Sequence, residues 1–176
     1  MPSKQNLSLS VFTNEQFKKL KYSTTTFRNC MFDALEVNKS RFKKCDFSEG
    51  IFKNIKAISN SKFIYCDFTQ SIFDDVHFYN TLFKYVEFTT TTFERSHFNN
   101  IEFQYCNFNH HYLHDVALQN VVYDKVYFEN ITLDLCQLDN VTFNQCTFKN
   151  VTINQSSLPD KLKVQLQHDG VHFKDN

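Results

Sequence analysis

Glycine and proline are nearly absent from this chain, with two of each in 176 residues, and tryptophan is missing altogether. No stretch has the composition of a flexible or proline-rich linker, so the chain reads as one continuous domain. No apolar run approaches the roughly 20 residues that a membrane-spanning helix needs. The N-terminal MPSKQNLSLS lacks the apolar core of a signal peptide, and the chain is therefore expected in a reducing cytoplasm. Net charge is also absent, because 19 Lys and Arg face 19 Asp and Glu. No two cysteines stand at CxxC spacing, so a zinc site has little support.

What the chain has instead is phenylalanine, and 20 of its 21 stand on a five-residue lattice. Positions 12, 17, 22, 27, 32, 37, 42, 47 and 52 read Phe, Phe, Tyr, Phe, Phe, Val, Phe, Phe, Phe. A second run keeps the same step from Phe63 to Leu158, and every site in it is Phe, Tyr, Leu or Ile. Phe173 alone lies outside both runs. A period of five is neither the 3.6 of a helix nor the 2.0 of a plain strand. Held over most of a chain, it marks a repeat architecture. Two residues before nearly every large side chain sits a small or β-branched one, such as Cys66, Ser71, Val76, Thr81 and Val86. Large and small sites two apart share one face of extended backbone, so two sites in five point inward and three meet water. The two runs are out of step by one residue, since Phe52 and Phe63 are eleven apart across KNIKAISNSK. That predicts a bulge or kink in which Ala57 or Ile58 fills the core slot.

The chemistry-bearing side chains are read against this lattice. Cys30, Cys45, Cys66, Cys106, Cys136 and Cys146 all fall on the inward small site, where a thiol acts as a small buried hydrophobe. Cys45 and Cys66 occupy neighbouring coils, but a disulfide is not expected in a reducing compartment. His110, His111 and His114 cluster in NHHYLHD. His111 is read as a buried ring bonded to backbone in an irregular coil, against a metal or proton-transfer site. No carboxylate pair or nucleophile–base arrangement is legible, and a filled core offers no cleft. The expectation is a protein without catalytic residues, cofactor or metal.

These alternations resemble the pentapeptide-repeat family over roughly residues 10–158. The resemblance implies an all-β fold, a right-handed quadrilateral β-helix in which four pentapeptides make one square coil. Phe27, Phe47, Phe68, Phe88, Phe108, Phe128 and Phe148 would then form one column. At the usual strand spacing of about 4.8 Å, seven to eight coils give a rod on the order of 36 Å long. The expected organisation is a β-helix over 1–158, irregular near 53–62, followed by a C-terminal element over 159–176.

That element leaves the lattice. In SLPDKLKVQLQHDG, Pro159 is placed in a first helical turn and Gly170 at a stop. A solenoid end needs a cap. The segment is also similar to the C-terminal element through which the quinolone-resistance (Qnr-type) members of the family dimerise. On that resemblance Leu162, Leu166, Val171 and Phe173 are the expected dimer interface. The eleven-residue gap is a second similarity. The Qnr type binds bacterial type II topoisomerase and protects it from quinolones, and some relatives imitate DNA. Two departures stand. The lattice from 63 to 158 leaves no room for outward loops, and the net charge is zero where DNA mimics are acidic.

The zero conceals a polarity. Residues 1–62 carry 12 Lys and Arg against 5 acids, and residues 63–159 carry 4 against 11. Asp74, Asp75, Glu94, Asp115 and Asp134 are expected along one column edge, with His114 among them, as an acidic partner surface. The basic set (Lys18, Lys19, Lys21, Arg28, Arg41, Lys43, Lys44, Lys53, Lys56 and Lys62) has the charge to touch phosphate. It shows no interleaved aromatic platform, so direct nucleic-acid binding is not favoured. Tyr65, Tyr85 and Tyr105 should stack as an exposed ladder between Lys44 and Lys125, and Asn80, Asn100, Asn120 and Asn140 as a corner amide ladder. The sequence thus reads as a bacterial, cytoplasmic, homodimeric interaction protein. Its expected partner is DNA gyrase or topoisomerase IV, the alternative is a scaffold with no topoisomerase role, and no membrane is involved.

Overall fold

The computed structural model describes residues 5–13 and 16–174; Met1–Lys4, part of the segment read for a signal peptide, lies outside them. Strands stack in parallel register twenty residues apart, as in His97–Asn99 on His77–Tyr79 and Tyr127–Asp134 on Asn107–His114. A twenty-residue repeat of five-residue sides is a square coil, and the chain climbs through about eight of them as a quadrilateral β-helix.

The lattice side chains fill the coil in four columns. The column foreseen from Phe27 to Phe148 is continuous, with successive centroids 4.8 to 5.5 Å apart and rings within 21° of parallel. Neighbouring columns meet edge to face, as Phe47 and Phe63 do at 6.1 Å and 70°. Rings on adjacent sides are thus never sandwiched face to face, which suits their quadrupoles. Phe68, Phe73, Phe78, Phe83, Phe88, Phe93 and Phe103 are all below 2% exposed. The core voids are only about 30 Å³, close to a single water.

Each corner needs a left-handed residue, and with glycine scarce the chain uses others. Every fifth residue from Asn29 to Asn54 and from Asn60 to Gln155 has φ between 44° and 61°. Asparagine fills nine such corners, in keeping with its tolerance of this region. The corner N–H groups donate to the next coil, as Tyr65 does to the Lys84 carbonyl at 2.9 Å. Corner strain is thereby offset by hydrogen bonds that tie coils together.

The irregularity is a β-bulge. Ile55 pairs with Val76, but Ile58 pairs with Phe78, so three steps on one strand match two on the next. Ile58 fills the core slot at 3% exposure, beneath Phe78 and above Val37, while Ala57 is only half-buried.

The C-terminal helix spans Asp160–His168. Pro159 is not in the first turn; it sits at the N-cap with extended backbone (φ −62°, ψ 141°), and Asp160 opens the helix. An acid there complements the helix dipole. Gly170 ends it at φ 88°, with its N–H on the Gln167 carbonyl. The chain then rejoins the sheet, because His172–Lys174 pairs with Thr152–Asn154 and sets Phe173 on Ile153. Phe173 is therefore in lattice register after all, twenty residues past Ile153, with the helix replacing the three sides between.

Candidate interaction surfaces

The three outward sites of each pentapeptide also form columns, and these are the surfaces available for recognition. Asp74, Glu94, His114 and Asp134 stand one above another, as expected. Asp75 and Asp115 occupy the adjoining corner, with Arg95 between them. Arg95 reaches across to bond Asp74 and lies 3.5 Å from Glu94. His77 meets Asp75 at 3.4 Å. Asp134 accepts hydrogen bonds from Tyr112 at 3.2 Å and Asn154 at 2.5 Å, and its Oδ2 lies 3.0 Å from His114 Nδ1. Partial desolvation alone would raise its pKa, but the contacts to His114, Asn154 and Tyr112 outweigh that and hold it below the usual carboxylate value. The stripe exists, and cations on its own face partly neutralise it.

Sequence reasoning missed a second acidic column on the neighbouring side. Asp46, Asp67 and Glu87 pair in parallel register, with Asn107 next. Asp46 and Asp67 each accept a backbone N–H two residues on, from Ser48 at 3.0 Å and Thr69 at 2.8 Å. Their signal was in plain view, since each precedes a lattice phenylalanine by one residue. Also missed was an aliphatic stripe. Val11, Met31, Ile51 and Ile72 stack outward on the acidic side, below Thr92, and Val11 is 64% exposed.

Tyr65, Tyr85 and Tyr105 stack as expected, with centroids 4.7 and 4.9 Å apart. Lys125 closes the upper end, 5.1 Å over Tyr105 and 3.1 Å from its hydroxyl. Lys84, not foreseen, flanks Tyr85 and Tyr105 at 5.4 and 5.6 Å. The asparagine ladder includes Asn60, and side-chain Nδ2–H groups donate from Asn80 to Asn60, from Asn100 to Asn80 and from Asn140 to Asn120.

The histidine cluster does not converge. His110 is an exposed corner residue, His111 points into the core and His114 points out among the acids. The expected backbone bond to His111 is not fully made. The Thr91 backbone is its polar neighbour and favours its charged form, but the contact falls short of good hydrogen-bond geometry and burial outweighs it. Neither ring nitrogen has a partner, and the ring packs against Phe93 and Phe108 at 5.2 and 5.0 Å. Among the described residues no group of three or more His, Cys, Asp or Glu is placed to hold a metal ion. The six cysteines are free. Burial pushes the Cys106 thiol up to about 12 and Cys136 to about 11.

Of the expected dimer residues, Leu162, Leu166 and Val171 are buried inside this chain. They cover the last coil, so the helix first of all caps the core. Phe173 is half-buried under Lys163 at 5.2 Å. The cap is incomplete, because an open cleft between helix and last coil is lined by Phe143, Cys146, Phe148, Gln165 and Asp169. Val164, on the helix's outer side, is 66% exposed.

The family model for pentapeptide repeats (8 copies) matches residues 61–100, and that for the SV2A/B/C luminal domain matches residues 3–73. No curated protein matches. Among solved structures the chain is similar to trypsin-treated QnrB1, a plasmid-mediated fluoroquinolone resistance protein. The identity is 16%, the TM-score 0.40, and the match covers 97% of this chain and 91% of that one. It is also similar to HetL, a pentapeptide repeat protein involved in heterocyst differentiation regulation from the cyanobacterium Nostoc sp. strain PCC 7120. There the values are 11% identity, TM-score 0.44, and 89% and 91% coverage. A pentapeptide repeat protein of the Arabidopsis thaliana thylakoid lumen follows at 13% identity, TM-score 0.20, and 97% and 79% coverage.

Proposed function

Because this chain is a pentapeptide-repeat protein, with its lattice side chains committed to the core, we propose that it acts without catalysis, through the outer faces of a stiff rod. The partner in this reading is a bacterial type II topoisomerase, DNA gyrase or topoisomerase IV, in a bacterial cytoplasm. The acidic side would occupy the basic saddle that otherwise receives DNA, and the result would be protection from quinolones. One observation carries the reading: Asp74, Glu94 and Asp134 repeat along one side, and Asp46, Asp67 and Glu87 repeat along the next. Two neighbouring rows of carboxylate on a rigid rod present regularly spaced negative charge, as the phosphates of a duplex do.

The proposed assembly is a homodimer through the C-terminal end. Leu162, Leu166 and Val171 are engaged within the chain, so the contact falls to Val164, Phe173 and the cleft beside Phe143 and Phe148. A two-fold axis there would cover both open ends at once.

A gyrase supercoiling assay with and without ciprofloxacin tests the reading. The expected result is inhibition of supercoiling at low salt and restored supercoiling in the presence of the drug. No effect at any salt, with unchanged quinolone sensitivity on expression, would leave a scaffolding role instead.

A further inference from the structure

The third side of the coils, opposite the Asp74 column and one corner away from the Asp46 column, carries a different surface. Lys21, Arg41 and Lys62 stack in parallel register, with Lys43 two residues beyond Arg41 on the same strand and Lys44 at the corner. All five are exposed, and none takes part in an ion pair among the described residues. The first carboxylate in the Lys21 column is Glu102, beyond Leu82. Arg28, Arg95 and Lys149 have carboxylate partners elsewhere on the rod, whereas the cations of this side stand stacked in register without one.

The tyrosine ladder runs up the corner of the same side. Its two ends differ. Lys125 closes the top over Tyr105. At the bottom Tyr65 has a ring partner on one side only, Tyr85, and it is the most exposed of the three at 51%. The position one coil below it is held by Lys44, whose N–H bonds the Ile64 carbonyl. An open aromatic face thus stands directly above the basic patch. The sequence showed no aromatic platform among the basic residues because the two sets hardly overlap along the chain. The coil brings them together.

We propose that this side binds single-stranded nucleic acid. The phosphate strand would lie along Lys21, Arg41 and Lys62, with Lys43 and Lys44 beside it, and one base would add to the tyrosine ladder beneath Tyr65. Unpaired cations repeated at the coil spacing neutralise successive phosphates, and an open ring face stacks any base without reading its edge. A duplex keeps its bases stacked within itself and has none to offer Tyr65. A polyphosphate or an acidic peptide satisfies the cations and leaves that face bare.

The test is fluorescence anisotropy of a labelled 20-nucleotide oligothymidylate with the full chain. Five phosphate contacts predict about a hundred-fold loss of affinity between 50 and 200 mM salt. Reversal of the column, Lys21→Glu with Arg41→Glu and Lys62→Glu, should cost at least about a hundred-fold. Tyr65→Ala should weaken binding about ten-fold for oligothymidylate and leave an abasic strand of equal length unaffected. Circular dichroism on each variant checks that the exposed substitutions leave the coil intact. No binding by the native chain at 50 mM salt would overturn the proposal, as would an indifferent triple variant. Equal affinity for the abasic strand, a duplex or polyglutamate would also overturn it, because the side would then read charge alone. Reversing Asp74 and Glu94 on the far side should leave oligothymidylate binding unchanged, which separates this result from the topoisomerase assay.

Discussion

The imidazole of His111 lies edge-on to the ring of Phe108, centroids 5.0 Å apart, and neither of its nitrogens has a hydrogen-bond partner. Burial keeps the ring neutral and pushes its pKa down from 6.5 to about 3. The unfolded chain titrates near the ordinary value, so between those two pH values the unfolded state binds the extra proton. Stability is therefore whole above pH 6.5, falls as pH drops, and levels off below about 3. The slope reaches about 1.4 kcal/mol per pH unit. Urea unfolding at pH 7.5 and 4.5 should show the native chain losing about 2.5 kcal/mol more than His111→Val. Valine is the residue two coils above in the same column, at Val151. Equal losses in both proteins would mean that His111 does not titrate with folding.

This histidine also shows where reading the sequence stops. Its inward position follows from the lattice, as do the four columns and the tyrosine and asparagine ladders. Its lack of a partner does not, because that depends on which carbonyls the coils above and below have already used. The same holds on the surface. The columns of Asp74 and Asp75 are set by counting, but Arg95 is long enough to cross a corner, and its choice of Asp74 is a matter of rotamer and reach. Phe173 was misplaced for a different reason. Phe173 stands twenty residues past Ile153, but the helix Asp160–His168 rises about 1.5 Å per residue against about 3.3 Å for strand, so the five-residue period alone does not show that a chain leaving the lattice there will rejoin it.

Phe88 lies in the middle of its column, between Phe68 and Phe108. Removing either Phe88 or Phe108 to alanine leaves a hole that rings above and below cannot close, since each is fixed by its own coil. Chemical denaturation should show a loss of about 3–5 kcal/mol for each. Cys106→Val keeps volume and apolar character in the small column and should cost less than about 1.5 kcal/mol. A phenylalanine variant losing under about 1 kcal/mol would contradict the packing described.

The thiols offer a separate check. With Cys106 pushed up to about 12 and both Cys136 and Cys146 to about 11, these three carry almost no thiolate at pH 8. Cys45, lowered by its bond with Cys66, is the exception in charge, but coil packing blocks access to it as well. Thiol titration should be slow in the native chain and should reach all six cysteines once it is unfolded under nitrogen. A count of four would point to a disulfide, with Cys45 and Cys66 the pair in contact.

Leu166 is 1% exposed and lines the core void together with Phe143, Phe148 and Val171. Deleting residues 160–176 should therefore uncover the last coil, and light scattering should show end-to-end aggregates or a monomer in place of the proposed dimer. Val164→Asp is the finer probe, because Val164 is exposed and takes no part in the cap. It should weaken the dimer and leave the thermal midpoint within a few degrees of the native value, as for other exposed substitutions. A full-length chain that stays monomeric at high micromolar concentration refutes the dimer.

Arg95 decides how the acidic side is tested. It bonds Asp74 and approaches Glu94, so the column meets a partner with part of its charge cancelled. If the carboxylates contact a basic saddle on gyrase, Arg95→Ala should tighten binding about two- to five-fold, the scale of one exposed ion pair. Reversing Asp74, Asp75, Glu94 and Asp134 to lysine should abolish binding, whereas reversing Lys18, Lys19 and Lys21 should change it little. Affinity should fall as salt rises, because exposed charges are screened within about 10 Å at 0.1 M. Binding measured by surface plasmon resonance across a salt series, on all three variants, gives the answer. Loss on reversing the lysines in place of the acids would keep gyrase as the partner and remove the imitation of DNA as the means.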